Sequence, residues 1–420
     1  MRCYELLKKK NFKDFKFVDG GVCAAKGFQA NGIHCGLKPD SNPDKNDLAM
    51  IYAEKKCNAS AMYTTNKVQG APITVTRKNL QDGMAQTVIV NSVNANTCNA
   101  DGIEKAEKMC QVTAETLGLQ PEDIIVASTG VIGQPLPIEP IITGIPELAK
   151  GLSTKGNASA VNAIMTTDTQ PKEIAVEFML DNKLCTLGGM LKGSGMIHPN
   201  MATTLTFLTT DCNISSEMLQ SALREVVSVT LNRVSVDGDT STNDMVCILA
   251  NGEAGNNLIQ AVSPEYEIFK DALYAVLMNL ARMMARDGEG ATKLIECLCD
   301  GAKDDKTAEI VAKSVIMSSL FKTAIFGEDA NWGRILCAVG YAPAKFDISQ
   351  VNVNLSSAKG CIAVCRNGAG VEFSEEQAKE ILSEEEILVS ITIGTGAGAA
   401  VAWGCDLTYE YVRINGDYRS

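Results

Sequence analysis

The chain has 420 residues, 45% of them hydrophobic and 21% charged, with a net charge of −12. Such a length buries a large core, and the acidic balance argues against nucleic acid or an anionic membrane as a partner. No apolar run reaches the roughly 18 residues of a membrane span, and the opening Met1-Arg2-Cys3-Tyr4-Glu5-Leu6-Leu7-Lys8-Lys9-Lys10 lacks the apolar centre of a secretory signal.

In chain order, Thr87-Val88-Ile89-Val90 reads as a strand, and residues 103–117 read as a helix stopped by Gly118. Ile124-Ile125-Val126-Ala127 and Leu205-Thr206-Phe207-Leu208-Thr209-Thr210 are further strands. After Ser215 and Ser216, residues Leu219, Ala222, Leu223, Val226 and Val227 fall three and four apart, the spacing of one helix face. Ser263-Pro264-Glu265 opens a long helix whose apolar face runs from Phe269 to Met284 and ends near Gly288. Ser374-Glu375-Glu376-Gln377 is a capping box, and Ile387, Val389, Ile391 and Ile393 alternate as in a strand. Tyr409-Glu410-Tyr411-Val412 reads as extended. The mixture predicts an α/β protein with sheet layers covered by helices.

Fifteen cysteines are scattered and odd in number, and only two histidines are present. Neither Cys297-x-Cys299 nor Cys361-x-x-x-Cys365 has a second pair at zinc spacing. The cysteines read as small apolar residues in a reducing cytoplasm, with neither metal nor disulfide. Gly394-Thr395-Gly396-Ala397-Gly398-Ala399 follows a strand, but too little chain remains for a dinucleotide-binding unit, so it reads as a structural turn. Gly188–Ser194 lacks P-loop spacing, and Asp237-Gly238-Asp239 lacks the glutamate of a calcium loop.

The chemistry concentrates near the midpoint, in Lys192-Gly193-Ser194-Gly195-Met196-Ile197-His198-Pro199-Asn200-Met201-Ala202-Thr203-Thr204. A threonine hydroxyl needs a base beside it, and a cut just before the threonine supplies one in its own α-amine. That amine has an unperturbed pKa of about 7.7–8.0. Pro199 bars a regular helix across the junction, and small Ala202 leaves its carbonyl open to the Thr203 hydroxyl. Read alone, Thr203 is more readily an ordinary strand threonine after a glycine-rich turn than a nucleophile.

At this stretch the chain resembles the ornithine acetyltransferase (glutamate N-acetyltransferase) family. The similarity continues through Ser128-Thr129-Gly130-Val131-Ile132-Gly133, Met165-Thr166-Thr167-Asp168-Thr169 and Ser235-Val236-Asp237-Gly238-Asp239-Thr240-Ser241-Thr242-Asn243-Asp244. It extends to Gly288-Glu289-Gly290-Ala291-Thr292-Lys293 and the tail Tyr411–Ser420. The resemblance implies self-cleavage between Ala202 and Thr203, giving an α chain of 1–202 and a β chain of 203–420, two of each in the assembly. It implies helix-flanked sheet layers reminiscent of the N-terminal nucleophile hydrolases. It also implies transfer of acetyl from N2-acetyl-L-ornithine to L-glutamate through Thr203, without a cofactor, in the cytoplasm; some members also use acetyl-CoA.

The same resemblance gives Thr129 and Gly130 the oxyanion hole, and lines the substrate pocket with Thr166, Lys192, Thr203, Glu289, Asn415 and Ser420. By themselves Thr166 is a turn former, Lys192 and Glu289 are loop charges, and Asn415 and Ser420 belong to a tail. His198 reads as a variable loop residue. Val93 stands where the family usually has glycine, a strained choice if the turn requires positive φ. Two alternatives remain from the residues: an N-terminal threonine hydrolase or aminopeptidase, and an oxidoreductase using the late glycine run.

Overall fold

Strands buried on both faces organise the molecule. Leu205–Thr210 and Met245–Ala250 are short strands with every residue buried, half of the first being threonine and the second wholly apolar. Alternate residues therefore face two different cores, as expected when helices or sheets cover both sides. Leu208, Val246 and Ile248 enter one core; Phe207, Met245, Cys247 and Leu249 enter the other. The computed structural model describes residues 12, 15–37, 45–198 and 204–417, so Ala202, Thr203 and Ser420 lie outside the described residues.

Among the described residues the strands form two mixed sheets. The first runs, in spatial order, Lys16–Val18, Lys172–Leu180, Lys183–Lys192, Leu205–Thr210, Met245–Ala250, Leu48–Tyr63, Met84–Asn91 and Ile124–Ser128, with Phe28–Ile33 also paired to Leu48–Tyr63. The second runs Ala369–Gly370, Gly360–Arg366, Asn352–Ser357, Glu386–Thr392, Leu294–Ala302, Gly398–Cys405 and Val234–Ser235. Strands from both sides of position 203 thus interleave in the first sheet.

The helix Pro264–Arg286 joins the two sheets. Ser263 accepts from the Tyr266 N–H, and Pro264 occupies the first turn, where its missing N–H costs nothing. Leu273, Val276, Leu277, Leu280 and Met284 share one core with Leu187, Leu191 and Leu208 of the first sheet and Leu294, Leu298 and Trp403 of the second. Full burial of each such side chain contributes roughly 1.5–3 kcal/mol. Gly102–Leu117 and Ile138–Lys150 cover another face of the first sheet, through Met109, Cys110, Ile141 and Ile145 against Met50, Ile89 and Val126. Asp305–Met317 and its neighbours cover the second sheet. The fold is therefore mixed α/β with helix-covered sheets, and a helical layer is shared between them.

The expected helices at 103–117, after Ser215, after Ser263 and after Ser374 are all present, with Ser215, Ser263 and Ser374 as hydrogen-bonding caps and Gly118 in the left-handed stop. The 409–412 expectation is overturned: Tyr409–Gly416 is a helix. Thr408 caps it by accepting from the Glu410 N–H, and Glu410 pairs with Arg413 one turn on. These local contacts override the strand preference of tyrosine and valine. The late glycine run is a tight turn: a Cβ on Gly396 would lie 2.0 Å from the Ala302 carbonyl oxygen. Most cysteines are buried, but Cys98, Cys337 and Cys361 are exposed, contrary to uniform burial. Among the described residues no helix is long and apolar enough to cross a membrane.

Val93 adopts φ 93°. Its carbonyl accepts from the Val131 N–H at 2.9 Å, which fixes the turn against Gly130. Holding a β-branched residue there costs about 1–3 kcal/mol, against the roughly 0.5–1 kcal/mol entropic cost of glycine. Val93→Gly is expected to raise stability by up to about 2 kcal/mol. Urea unfolding checks this: the midpoint should rise with an unchanged slope, whereas a fall would show that the valine contacts outweigh the strain.

Candidate active site

The strand register brings together groups that are distant in sequence. Lys192 ends its strand opposite Leu205, and on the other flank Leu205 pairs with Met245. Thr204, just before this pairing, accepts at its carbonyl from the Met245 N–H at 2.8 Å. Lys192, Thr204 and Asp244 therefore meet at one point of the sheet, where a cavity of about 250 Å³ opens. Its lining includes Thr129, Gly130, Lys192, Thr204, Asp244, Glu289 and Asn415. The volume suits an amino acid rather than a dinucleotide.

Thr129 and Gly130 follow the buried strand Ile124–Ser128. The Thr129 N–H donates to the Asn91 carbonyl at 3.0 Å. Neither the Thr129 hydroxyl nor the Gly130 N–H has a hydrogen-bond partner among the described residues, and both residues line the cavity. Gly130 sits at φ 130°, and a Cβ there would lie 2.0 Å from the Val93 carbonyl carbon. Only glycine fits this position without moving the Val93 turn.

Asn243 anchors that turn. Its amide donates to the carbonyls of Ala95 and Ser128, at 2.5 and 2.9 Å, and its oxygen accepts from Thr97 at 2.6 Å. The loop carrying Asn243 is held in turn by Thr64, whose hydroxyl donates to the Ser241 carbonyl and whose N–H donates to the Asp244 carbonyl. The sequence reading gave no site role to Ser241, Thr242, Asn243 or Asp244, although all four line the cavity. The available signal was the polar density just before the apolar run Met245–Ala250.

Glu289 lies beyond the long helix and is 6% exposed. Its N–H donates to the Ser194 carbonyl at 3.2 Å, and its carboxylate accepts from the Asn415 amide at 2.7 Å. Gly195 permits this approach, since a Cβ there would lie 2.5 Å from the Glu289 carboxyl. Lys192 is 7% exposed. Thr166 is not among the lining residues; its N–H donates to Asp168 at 3.1 Å and its carbonyl accepts from Lys45. His198 is also away from the lining, its Nδ1 3.2 Å from the Ser235 hydroxyl. Burial pushes its imidazole down to about 4, so it is neutral at pH 7.

A buried ion cluster fixes the strand end. Lys172 bonds Asp168 at 2.7 Å and Asp287 at 2.5 Å, and Asp168 also accepts from the Gly193 N–H at 2.8 Å. Ser194 donates to the Asp287 carbonyl at 2.7 Å. Burial pushes the Asp168 carboxyl up, but Lys192, Lys172 and the Gly193 N–H outweigh it and hold the group at about 2. In the cavity itself, burial pushes Asp244 well above the usual carboxylate range, against the Ser241 hydroxyl and Lys192. The two carboxyls are thus shifted in opposite directions, Asp168 towards its ionised form and Asp244 towards its neutral form.

Fold and cavity together define a mixed α/β enzyme whose site draws residues from both halves of the chain. The ArgJ family model matches residues 29–420. The chain is 47% identical over 422 residues to "Arginine biosynthesis bifunctional protein ArgJ 1" of Clostridium acetobutylicum, covering 100% of both. It is 48% identical to the ArgJ protein of Caldanaerobacter subterraneus, over 96% of this chain and 100% of the relative. The solved ornithine acetyltransferase of Mycobacterium tuberculosis, complexed with ornithine, is 32% identical over 45% of this chain and 100% of its own, with TM-score 0.41. The chain belongs to the ArgJ family.

Lys172→Met leaves Asp168 and Asp287 buried without their cation and is expected to destabilise the fold by about 3–5 kcal/mol. In the wild type, Asp168 has its folded value below its unfolded one. Its contribution is therefore complete above about pH 4 and is lost as pH falls towards 2. Denaturant unfolding across acidic pH checks both; equal stability of variant and wild type at pH 7 would contradict the account.

Proposed function

We propose that this chain is a self-processing acetyltransferase of arginine biosynthesis, moving acetyl from N2-acetyl-L-ornithine to L-glutamate. The observation that carries the reading is the cavity beside Thr204, with two donors at Thr129 and Gly130 that have no partner among the described residues and charged groups at Lys192 and Glu289. A zwitterionic amino acid needs both signs of charge, and a tetrahedral acyl intermediate needs donors where its oxyanion develops. Membership of the ArgJ family supports the same pathway.

In this mechanism the chain cuts itself between Ala202 and Thr203, giving chains of 1–202 and 203–420. The freed α-amine takes the proton of the Thr203 hydroxyl as Oγ attacks the acetyl carbonyl. Thr129 and Gly130 stabilise the oxyanion. Lys192 holds the substrate carboxylate, and Glu289, Asn415 and Ser420 complete the contacts, with Thr166 set back from the described lining and acting through its neighbours. Ornithine leaves, glutamate enters the same cavity, and its amine resolves the acetyl-threonine ester. Acetyl-CoA as a second donor, two α and two β chains in the assembly, and a cytoplasmic location complete the proposal.

Intact-mass analysis should show two fragments with Thr203 at a free N-terminus, and Thr203→Ala should remain uncut and inactive. A fully active single chain would sink self-processing. An exchange assay should show acetylornithine-dependent acetylation of glutamate with parallel double-reciprocal lines; release of free acetate in its place would identify a hydrolase. In the matured enzyme, Thr129→Ala should lower kcat by roughly 10²–10³ with a smaller change in KM. A change confined to KM would remove Thr129 from the oxyanion hole.

A further inference from the structure

Asp244 is 3% exposed and lines the cavity, and among the described residues its Oδ2 has no hydrogen-bond partner. Its backbone is fixed on both flanks: its carbonyl accepts from the Thr64 N–H at 3.0 Å, and the next residue donates to Thr204. A buried, unpartnered carboxyl oxygen is costly unless something meets it. The charged groups among the described lining residues are Lys192 and Glu289; Thr64, Thr204, Ser241 and Thr242 supply only neutral groups around it.

We propose that Asp244 is a catalytic residue that carries a proton between the departing and the arriving amine. The proposal rests on the acetyl-transfer reading above. In the first half-reaction the Oγ–C bond to Thr203 forms and the C–N bond to ornithine breaks. The hydroxyl proton passes through the α-amine to that nitrogen, which leaves a neutral amine. Ornithine departs as an ammonium, so the nitrogen takes one more proton, given by the Asp244 carboxylic acid. Glutamate arrives as an ammonium and returns a proton to the Asp244 carboxylate. The freed amine then attacks, the N–C bond forms, and the C–Oγ bond breaks. Its second proton passes through the α-amine to Oγ. The cycle closes with no net proton taken up. It requires an acid that is neutral at the start, and burial of Asp244 favours that state.

The test uses the matured enzyme, acetylated by brief exposure to acetylornithine and then freed of it. Loss of acetyl is followed by mass after mixing with glutamate or with hydroxylamine, an amine that is neutral at pH 7. Asp244→Asn should lower the ratio of glutamate to hydroxylamine rates by roughly 10²-fold. Its glutamate rate should also rise with the free-amine fraction as pH increases. Asp244→Ala is the second variant, and added formate should restore its rate ratio. Equal losses with both acceptors, or an unchanged ratio, would overturn the role of Asp244 and leave acetyl transfer standing. A wild-type acetyl-enzyme resolved only by water would overturn acetyl transfer itself and this inference with it.

Discussion

The pairing of Leu205–Thr210 with a neighbour on each side is the constraint from which the site follows. Lys183–Lys192 runs antiparallel to it and Met245–Ala250 parallel. The same register that satisfies these backbone groups sets Lys192 and Asp244 on either side of the entry to the strand. A slip of one residue would turn the alternation between the two cores inside out. Burial of Phe207 and Leu208 on opposite faces thus guards the position of the polar groups at the strand's end.

Around that register, polar anchors do what apolar packing cannot. The Asp168–Lys172–Asp287 cluster ties Gly193 and Ser194 to the end of the long helix, close to Glu289. Asn243 ties the Thr129–Gly130 turn to the loop preceding Asp244. Ion pairs of this kind offer little net stability, since desolvation offsets attraction, but they have narrow geometric tolerance. Their contribution is to hold charged and donor groups in place around a small cavity. The strained Val93 turn belongs to the same arrangement, because its carbonyl bounds the only space Gly130 has.

The interleaving of strands bears on the proposed cut. Leu205–Thr210 is hydrogen-bonded on both flanks within a sheet otherwise built largely from the first half of the chain. A break before Thr203 leaves those ladders and the shared helical core intact, so two chains would persist as one folded body. The cut would alter chemistry at one nitrogen without requiring the fold to separate.

Local patterns in the sequence determined the helices whose signals are short-range: Ser215, Ser263 and Ser374 as caps, Gly118 as a stop, and a continuous apolar stripe from Phe269 to Met284. Tyr409–Gly416 escaped because its tyrosines and valine favour strands, while the deciding contacts are a threonine cap and the docking of Thr408 on the Gly290 carbonyl. Among site residues, the motifs marked Thr129, Gly130, Lys192, Glu289 and Asn415, and all five line one cavity. Thr166 is not among the lining residues and donates its N–H to Asp168, an offset that the motif does not reveal. Asn243 and Asp244 lie in a family-like polar motif that gave neither an individual role, because an amide hub and a buried acid are defined by partners as far off as Ala95, Ser128 and Lys192. The sequence by itself determined which elements form and which chemistry is present. Tertiary structure alone decided which polar groups are buried together, because burial and charge proximity arise only when distant strands pair.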